Sequence, residues 1–414
     1  MSARMISDTE DFIDDQSLMY GTALPGPVIH DRRSWDNHVQ STQETKSPKV
    51  TLAQFNAMSD LEKLESQALR RQYTAKLAPI FSKSYADRFD ELLRVASTNI
   101  EMGPGVRIGR VITGEPTLGK STLLTWFGRK YERRRRAIHR AQFGSDEFVR
   151  GNTPWIFTPA VYVTLDGTRT FKALLQSIAA FLSVPDNEDM SELKLKRRIT
   201  EYANNCGTSL IMIDDIHYLD KRFVGVEGLN NELKKFMGVI PATFVYAGID
   251  CENIGLFREW KPKGRQTGSQ TDHRFGKIEL RPFELPIERK VGKEKSDAGT
   301  STELADVLRT FDDQCLLLRH EPNDLVKLVP YIMNRTSGYM GAIATLIKHG
   351  AAIAIQTGEE KYTKSLLDQV SLDNASEVAG QNRKKASEKK EKSKRKSVGT
   401  PVEKESKVGD QPAN

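Results

Sequence analysis

Between Gly114 and Ser121 the chain reads Gly-Glu-Pro-Thr-Leu-Gly-Lys-Ser, a pattern that fits G-x-x-x-x-G-K-[ST] at every fixed position. Gly114 and Gly119 let the backbone turn tightly enough for successive N–H groups to point at phosphate oxygens. Lys120 adds a positive charge for the β- and γ-phosphates, and the Ser121 hydroxyl can ligate the Mg²⁺ between them. The candidate nucleotide contacts therefore run from Gly114 through Glu115, Pro116, Thr117, Leu118, Gly119, Lys120 and Ser121 to Thr122. The flanks agree. Residues 106–113 (VRIGRVIT) are short and β-branched, as a buried strand requires. Residues 121–130 (STLLTWFGRK) read as a helix whose N-terminus faces the phosphates.

A second stretch completes the chemistry. Residues 209–215 (SLIMIDD) end an apolar run in two acids. A buried strand there delivers Asp214 to its C-terminal edge, beside the phosphate loop, where the carboxylate can hold the Mg²⁺ shell. Asp215, the next residue, is the candidate acid for activating a water. The implied cofactors are ATP and Mg²⁺.

Strand and helix patterns alternate around these motifs. Residues 160–165 and 242–248 read as strands, 278–280 as a short last strand, and 171–182 and 191–204 as helices. Residues 141–158, with Gly144, Gly151 and Pro154, read as a loop, and 258–272 as another. The expected fold class is α/β, a three-layer sandwich with a mainly parallel sheet over 104–282. A helical lead-in over 51–103 precedes it, with Leu61, Leu64 and Leu69 on one apolar face. A small helical lid domain over 283–372 follows, with a basic, polar insertion at 290–300.

The ends differ from the body. Residues 1–50 lack sustained periodicity and read as a mostly disordered arm, and residues 1–48 carry a net charge of −4. The Lys-rich stretch from 373 reads as a disordered tail, and residues 375–414 carry +5 of the chain's +7. A basic body fits a polyanionic partner, although solubility alone would account for this much charge. Seven Lys or Arg fall within the twelve residues 129–140, which read either as a solvated helix end or as a phosphate-backbone contact. Three cysteines in 414 residues, widely spaced, form neither a disulfide framework nor a zinc pattern, so a reducing cytoplasm is expected. The acidic N-terminus has no apolar leader, and no run reaches the roughly 18 residues of a membrane helix.

The order of these parts matches the AAA+ ATPases, and within them the chain resembles the TniB/TnsC family of transposition ATPases over roughly residues 55–372. The resemblance rests on GEPTLGKS (114–121), LIMIDDIHYL (210–219), LNNELKKFMGVIPATFVYAGID (229–250), HRFGKIELRPFE (273–284) and TSGYMGAIATLIKHGAAIAIQTGEEKYT (336–363). It implies an ATPase that assembles head-to-tail on double-stranded DNA as a homo-oligomeric ring or filament, linking target selectors to a transposase. By position Arg274 resembles the arginine finger that reaches a neighbouring subunit's γ-phosphate. The resemblance also implies DNA contacts at Lys172, with Arg169 and Thr168 as lesser candidates. Asp215 replaces the more usual Glu, implying slow hydrolysis. Ile249 sits where a polar first sensor is common, and no Arg opens the helix at Gly338–Gly341, with Arg335 only nearby. His217 is read as a structural hydrogen-bonder. A signalling or defence ATPase acting through protein partners without DNA remains a second reading, and a replication-initiator-like ATPase a third.

Nine of the eleven basic residues of the tail fall within 383–396. Deleting 375–414 should weaken DNA binding modestly and leave ATP hydrolysis unchanged. The salt slope should fall by about 0.9 for each phosphate that the tail had neutralised. Binding measured across a salt series checks this; an unchanged slope would assign the tail away from DNA.

Overall fold

The computed structural model describes residues 28–41, 47–77, 79–80, 82–103, 105, 107–167, 169–219, 225–249, 251, 275–284 and 303–372. Its centre is a five-stranded sheet whose hydrogen-bonded pairs are all parallel. The strands are β1 (Gly109–Gly114), β4 (Ala160–Thr164), β5 (Leu210–Asp214), β6 (Thr243–Ile249) and β7 (Phe275–Glu279), in the spatial order β4-β5-β6-β1-β7. The inner strands are apolar along almost their whole length; all five residues of β5 are buried. That is what a parallel sheet covered on both faces requires. The structure has the three-layer AAA+ arrangement that the alternation of strands and helices implies.

Before the sheet come α1 (Arg32–Gln40), α2 (Leu52–Asn56), α3 (Asp60–Ala75) and α4 (Lys83–Glu101). The long α5 (Lys120–Phe143) leaves the phosphate loop and packs on β1, β4, β5 and β6. Phe127, Leu123 and Leu124 of α5 join Ile112, Met212 and Phe244 in the main core. An antiparallel hairpin, β2 (Glu147–Arg150) with β3 (Thr153–Ile156), follows α5. Then come α6 (Phe171–Phe181), α7 (Glu192–Cys206) and α8 (Gly225–Val239). The lid is α9 (Glu303–Asp313), α10 (Asp324–Lys327), α11 (Val329–Thr336), α12 (Met340–Thr357) and α13 (Lys364–Asp368), around its own core of Leu308, Leu325, Ile332, Leu346 and Leu366.

Four expectations change. The loop expected at 141–158 contains the β2–β3 hairpin, whose two-residue turn uses Gly151 at φ 64°. Within the arm expected to be disordered, Arg32–Gln40 is a helix; Asp31 caps it by accepting from the Ser34 amide at 2.7 Å, and Trp35 is fully buried. The Leu61, Leu64 and Leu69 face is exposed, while the buried side of α3 is the polar stripe Ser66, Arg70 and Thr74. The basic run of α5 is partly consumed inside the protein: Arg136 pairs with Glu132, Asp36 and Asp146, and Arg140 with Asp146. The expected loop at 258–272, the insertion at 290–300 and the tail from 373 lie outside the described residues.

The inverted burial of α3 has a specific cause in the lid. The Arg70 guanidinium, fully buried, donates to both Glu360 carboxylate oxygens at 2.8 and 2.9 Å and to the Leu316 carbonyl at 3.2 Å. Glu360 also accepts the Leu318 amide at 3.0 Å. Lys348 of α12 donates to the Ala75 and Leu77 carbonyls, both at 3.2 Å. The lead-in is therefore fastened to the lid by a buried ion pair and by hydrogen bonds to carbonyls, which supply partners to both terminal nitrogens of Arg70 and leave its Nε without one among the described residues. Replacing one partner strands the other, so Arg70→Leu should cost about 3–5 kcal/mol, read from the shift of the denaturant midpoint.

His320 of the lid lies 2.8 Å from Asp312 and is nearly buried. Burial alone would lower its pKa, but Asp312 and Cys315 outweigh that and raise it to about 9. Its folded value exceeds the ordinary 6.5. The stabilisation is thus complete below about pH 6.5 and is lost as pH rises through about 9. Urea midpoints at about pH 6 and about pH 9.5 should differ in the wild type and converge in His320→Gln.

Candidate nucleotide site

The phosphate loop joins the end of β1 to the start of α5, and its geometry needs its glycines. Gly114 has φ 149°, and a Cβ there would come within 2.6 Å of the Leu280 carbonyl oxygen. Gly119 has φ 82°, and Thr117 between them is left-handed at φ 61°. Leu118 is buried, and the Tyr85 hydroxyl donates to its carbonyl at 2.5 Å, tying the loop to α4. Glu115, Pro116 and Thr117 are exposed along the loop, as are Ser121 and Thr122 on the first turn of α5. The Lys120 ammonium donates to the Gly114 carbonyl at 3.1 Å and to the Glu115 carbonyl at 2.6 Å. The cradle, the helix N-terminus and this buried ammonium together fit a phosphate chain.

The acid pair reaches the same edge because β6 pairs in parallel with both β1 and β5. Asp214 is buried, and burial pushes its carboxyl up from the usual carboxylate range. Hydrogen bonds from Ser121, the Asp215 amide and Tyr162 pull the other way. The Asp215 amide donates to Asp214 Oδ1 at 2.9 Å and the Tyr162 hydroxyl to Oδ2 at 3.1 Å. The Tyr162 phenol is itself raised, first by burial and then by Asp214, so it remains a donor. Asp215 is left-handed at φ 53° and about two-fifths exposed. Burial raises its pKa while the charge of Lys120 opposes the rise. A buried acid bonded to Ser121 beside a partly exposed one suits a metal ligand next to a water-facing carboxylate.

His217 accepts the Ile249 amide at Nδ1, 3.3 Å away, and stands 3.9 Å from Asp215. Beyond Ile249, the Cys251 amide donates to the Thr113 hydroxyl at 3.2 Å. Arg335 is turned to the far end of the lid, donating to Asp368 at 3.0 Å and to the Val370 carbonyl at 2.9 Å. Lys172 is half-buried at the start of α6, and Arg169 pairs with Asp166 at 2.6 Å. Thr168 and Arg274 lie outside the described residues.

Three tyrosines at the site carry no signal in the sequence. Tyr85 falls within the stretch read as a helical lead-in and Tyr162 within one read as a strand, with nothing to set either apart. Tyr339, which precedes α12, donates its hydroxyl to the Glu115 carboxylate across the lid–loop boundary. Just beyond it, the Gly341 amide donates to the Thr117 carbonyl at 2.9 Å. A Cβ on Gly341 would stand 2.7 Å from that oxygen, so the contact needs glycine. Beside the first turns of α5, a cavity of about 430 Å³ opens between Ser121, Thr122, Thr125 and Trp126 on one side and Leu77, Pro79 and His38 on the other.

Comparison with known proteins agrees with this geometry. Residues 110–250 match the AAA domain family, and the chain carries a P-loop ATPase domain of the AAA+ fold. No curated protein matches the chain in sequence. Among solved structures, the Aeropyrum pernix ORC2 protein in ADPNP–ADP complexes shares 15% identity at a TM-score of 0.48, with 71% of this chain and 68% of that one covered. The Aeropyrum pernix ORC1 protein in complex with DNA gives 15% and 0.47, over 72% and 66%. The Thermotoga maritima RuvB Holliday junction branch migration motor gives 14% and 0.35, over 70% and 68%. Likeness at this level bears on no activity or partner. Among the described residues, no single helix is long and apolar enough to cross a membrane.

Gly341→Ala separates helix propensity from the lid contact. In a free helix the change would add roughly 0.8–1 kcal/mol of stability. Here it should push the lid from Thr117 and lower nucleotide affinity, read by titrating a fluorescent ADP analogue. Wild-type affinity would remove the lid from the account of binding.

Proposed function

We propose that this chain is an ATP-dependent DNA-binding regulator of transposition, which assembles head-to-tail on duplex DNA and links target selection to a transposase. The observation that carries its ATP-dependent part is the convergence of Lys120, Ser121, Asp214 and Asp215 at one sheet edge, under a lid that touches the phosphate loop. The step to transposition rests on the five sequence segments that resemble the TniB/TnsC family.

In this reading the loop amides and Lys120 bind the phosphates, with Lys120 leaving the two loop carbonyls to do so. The base and ribose enter the cavity beside Thr122 and Trp126. Ser121 and Asp214 hold Mg²⁺, which when bound neutralises charge across the β- and γ-phosphates. Such an ion keeps several waters and needs few protein ligands. Asp215 orients the attacking water and takes its proton. Being one methylene shorter than Glu, it holds that water less closely in line, and turnover is slow. Lys172, Arg169 and Thr168 are the candidate DNA contacts, Arg169 after exchanging Asp166 for a phosphate. The three thiols, none in a disulfide, fit a reducing cytoplasm.

The remaining charge on the transferred group is met in trans by Arg274. Register supports this. Phe275, the next residue, pairs with Gly109 at the start of β1, five residues before Gly114. At about 3.3 Å per residue, that is the opposite end of the strand from the chain's own phosphate loop. An arginine supplied in trans is worth roughly 10³–10⁵ in rate. A contact of this kind is heterologous, and its repetition gives a ring or an open helix.

Arg274→Ala should keep ATP binding and lose hydrolysis, while Lys120→Ala should lose ATP binding with its circular dichroism unchanged. Mixed, the two inactive proteins should regain part of the activity, because an intact finger can then meet an intact pocket. Wild-type hydrolysis by Arg274→Ala would overturn the shared site. ATP-dependent retention on duplex DNA of arbitrary sequence separates this reading from an ATPase that acts through protein partners alone.

A further inference from the structure

The N-terminal helix α1 sits one side chain away from the carboxylate that the proposed site uses for Mg²⁺. Trp35 of α1 is fully buried in a slot beside Gly128, where a Cβ would lie 2.8 Å from its Cη2 and closer still to Met212 Cε. Its indole stacks on Tyr162, with centroids 5.3 Å apart and planes 13° apart. Tyr162 in turn donates its hydroxyl to Asp214. The indole Nε1 donates to Glu132 at 2.5 Å, and Glu132 holds Arg136, which also reaches Asp36 of α1 at 2.8 Å. An apolar side chain would suffice to fill the slot. This one is oriented by a directional hydrogen bond, and the helix that carries it is held by an ion pair, so the ring is fixed against Tyr162.

We propose that Tyr162 is a positioning residue for Asp214 and that the docking of α1 through Trp35 is coupled to the binding of Mg²⁺-nucleotide. The proposal rests on the assignment of Asp214 to the Mg²⁺ shell. The mechanism is rotational. Asp214 has one oxygen bound to the Asp215 amide and the other to Tyr162. With the Tyr162 bond gone, Asp214 keeps the Asp215 amide and Ser121 but loses the donor that fixes Oδ2, and because Ser121 is itself assigned to the ion, Mg²⁺ binding must then order the carboxylate. Trp35 limits the same freedom in Tyr162. Because such coupling is reciprocal, bound Mg²⁺-nucleotide must hold α1 more firmly by the same factor by which α1 tightens binding.

The test uses the full chain and a fluorescent ADP analogue, titrated with and without Mg²⁺. Tyr162→Phe keeps the ring and removes one hydroxyl. It should raise the Mg²⁺ concentration for half-maximal effect about fivefold or more, the low end of typical couplings, with metal-free nucleotide affinity unchanged. Trp35→Ala should shift it in the same direction, and Trp35→Phe, which retains a ring against Tyr162 but loses the hydrogen bond to Glu132, should fall between Trp35→Ala and the wild type. Hydrogen exchange supplies the reciprocal readout: residues 32–40 should gain protection from Mg²⁺-nucleotide beyond that from nucleotide alone, and this extra protection should vanish in Tyr162→Phe. If Trp35→Ala fails to fold, Tyr162→Phe decides. A wild-type Mg²⁺ dependence in Tyr162→Phe, or protection of α1 indifferent to Mg²⁺, would overturn the coupling. Asp214→Asn distinguishes the layers: a wild-type Mg²⁺ dependence there would overturn the metal assignment itself.

Discussion

The insertion of β6 between β1 and β5 is the constraint on which the rest depends. Both pairings are parallel, so both outer strands end at the same edge of the sheet. Lys120 and Ser121 follow one strand, and Asp214 and Asp215 lie at the end of the other. No loop has to carry a charged group across the core. The sheet holds these positions through an apolar interior, and the strained residues, Thr117 and Asp215, lie just beyond the strand ends. Backbone in unfavoured regions persists only where its surroundings fix it, and here the sheet, α4 and the lid do so.

Burial gives the two acids different properties. Asp214 sits inside, satisfied by three donors, and its carboxyl is raised because burial, helped by the charge of Asp215, outweighs them. Asp215 stands partly in water, within reach of the field of Lys120. Two identical side chains, adjacent in sequence, thus differ in their surroundings: one is buried and held by donors, the other faces water. The lid reads the same region through backbone: an amide of α12 rests on the Thr117 carbonyl, so loop conformation and lid position cannot change independently.

The phosphate loop and the strand of β5 were legible in the sequence because their chemistry fixes residue type and spacing together. The remainder was hidden for identifiable reasons. Nine residues of α1 show a single buried apolar pair, Trp35 and Val39, too short a pattern to register as periodic. The β2–β3 hairpin was masked by Gly144, Gly151 and Pro154, which mark turns and loops alike. On α3 the leucine stripe misled, since the buried face is decided by Arg70 and a Glu360 that lies 290 residues away. The Tyr339–Glu115 contact joins residues 224 apart, beyond the reach of any local pattern. Arg335 was a neighbour of the lid motif in sequence, yet its hydrogen bonds go to Asp368 and the Val370 carbonyl within the lid.

The proposed site shared between copies requires nucleotide and duplex DNA together to drive assembly. Sedimentation velocity of the full chain tests it most directly, run with random-sequence duplex DNA and ATP, with each alone, and with neither. Large multi-subunit species are expected only when DNA and ATP are both present. The same sedimentation profile under all four conditions would contradict it.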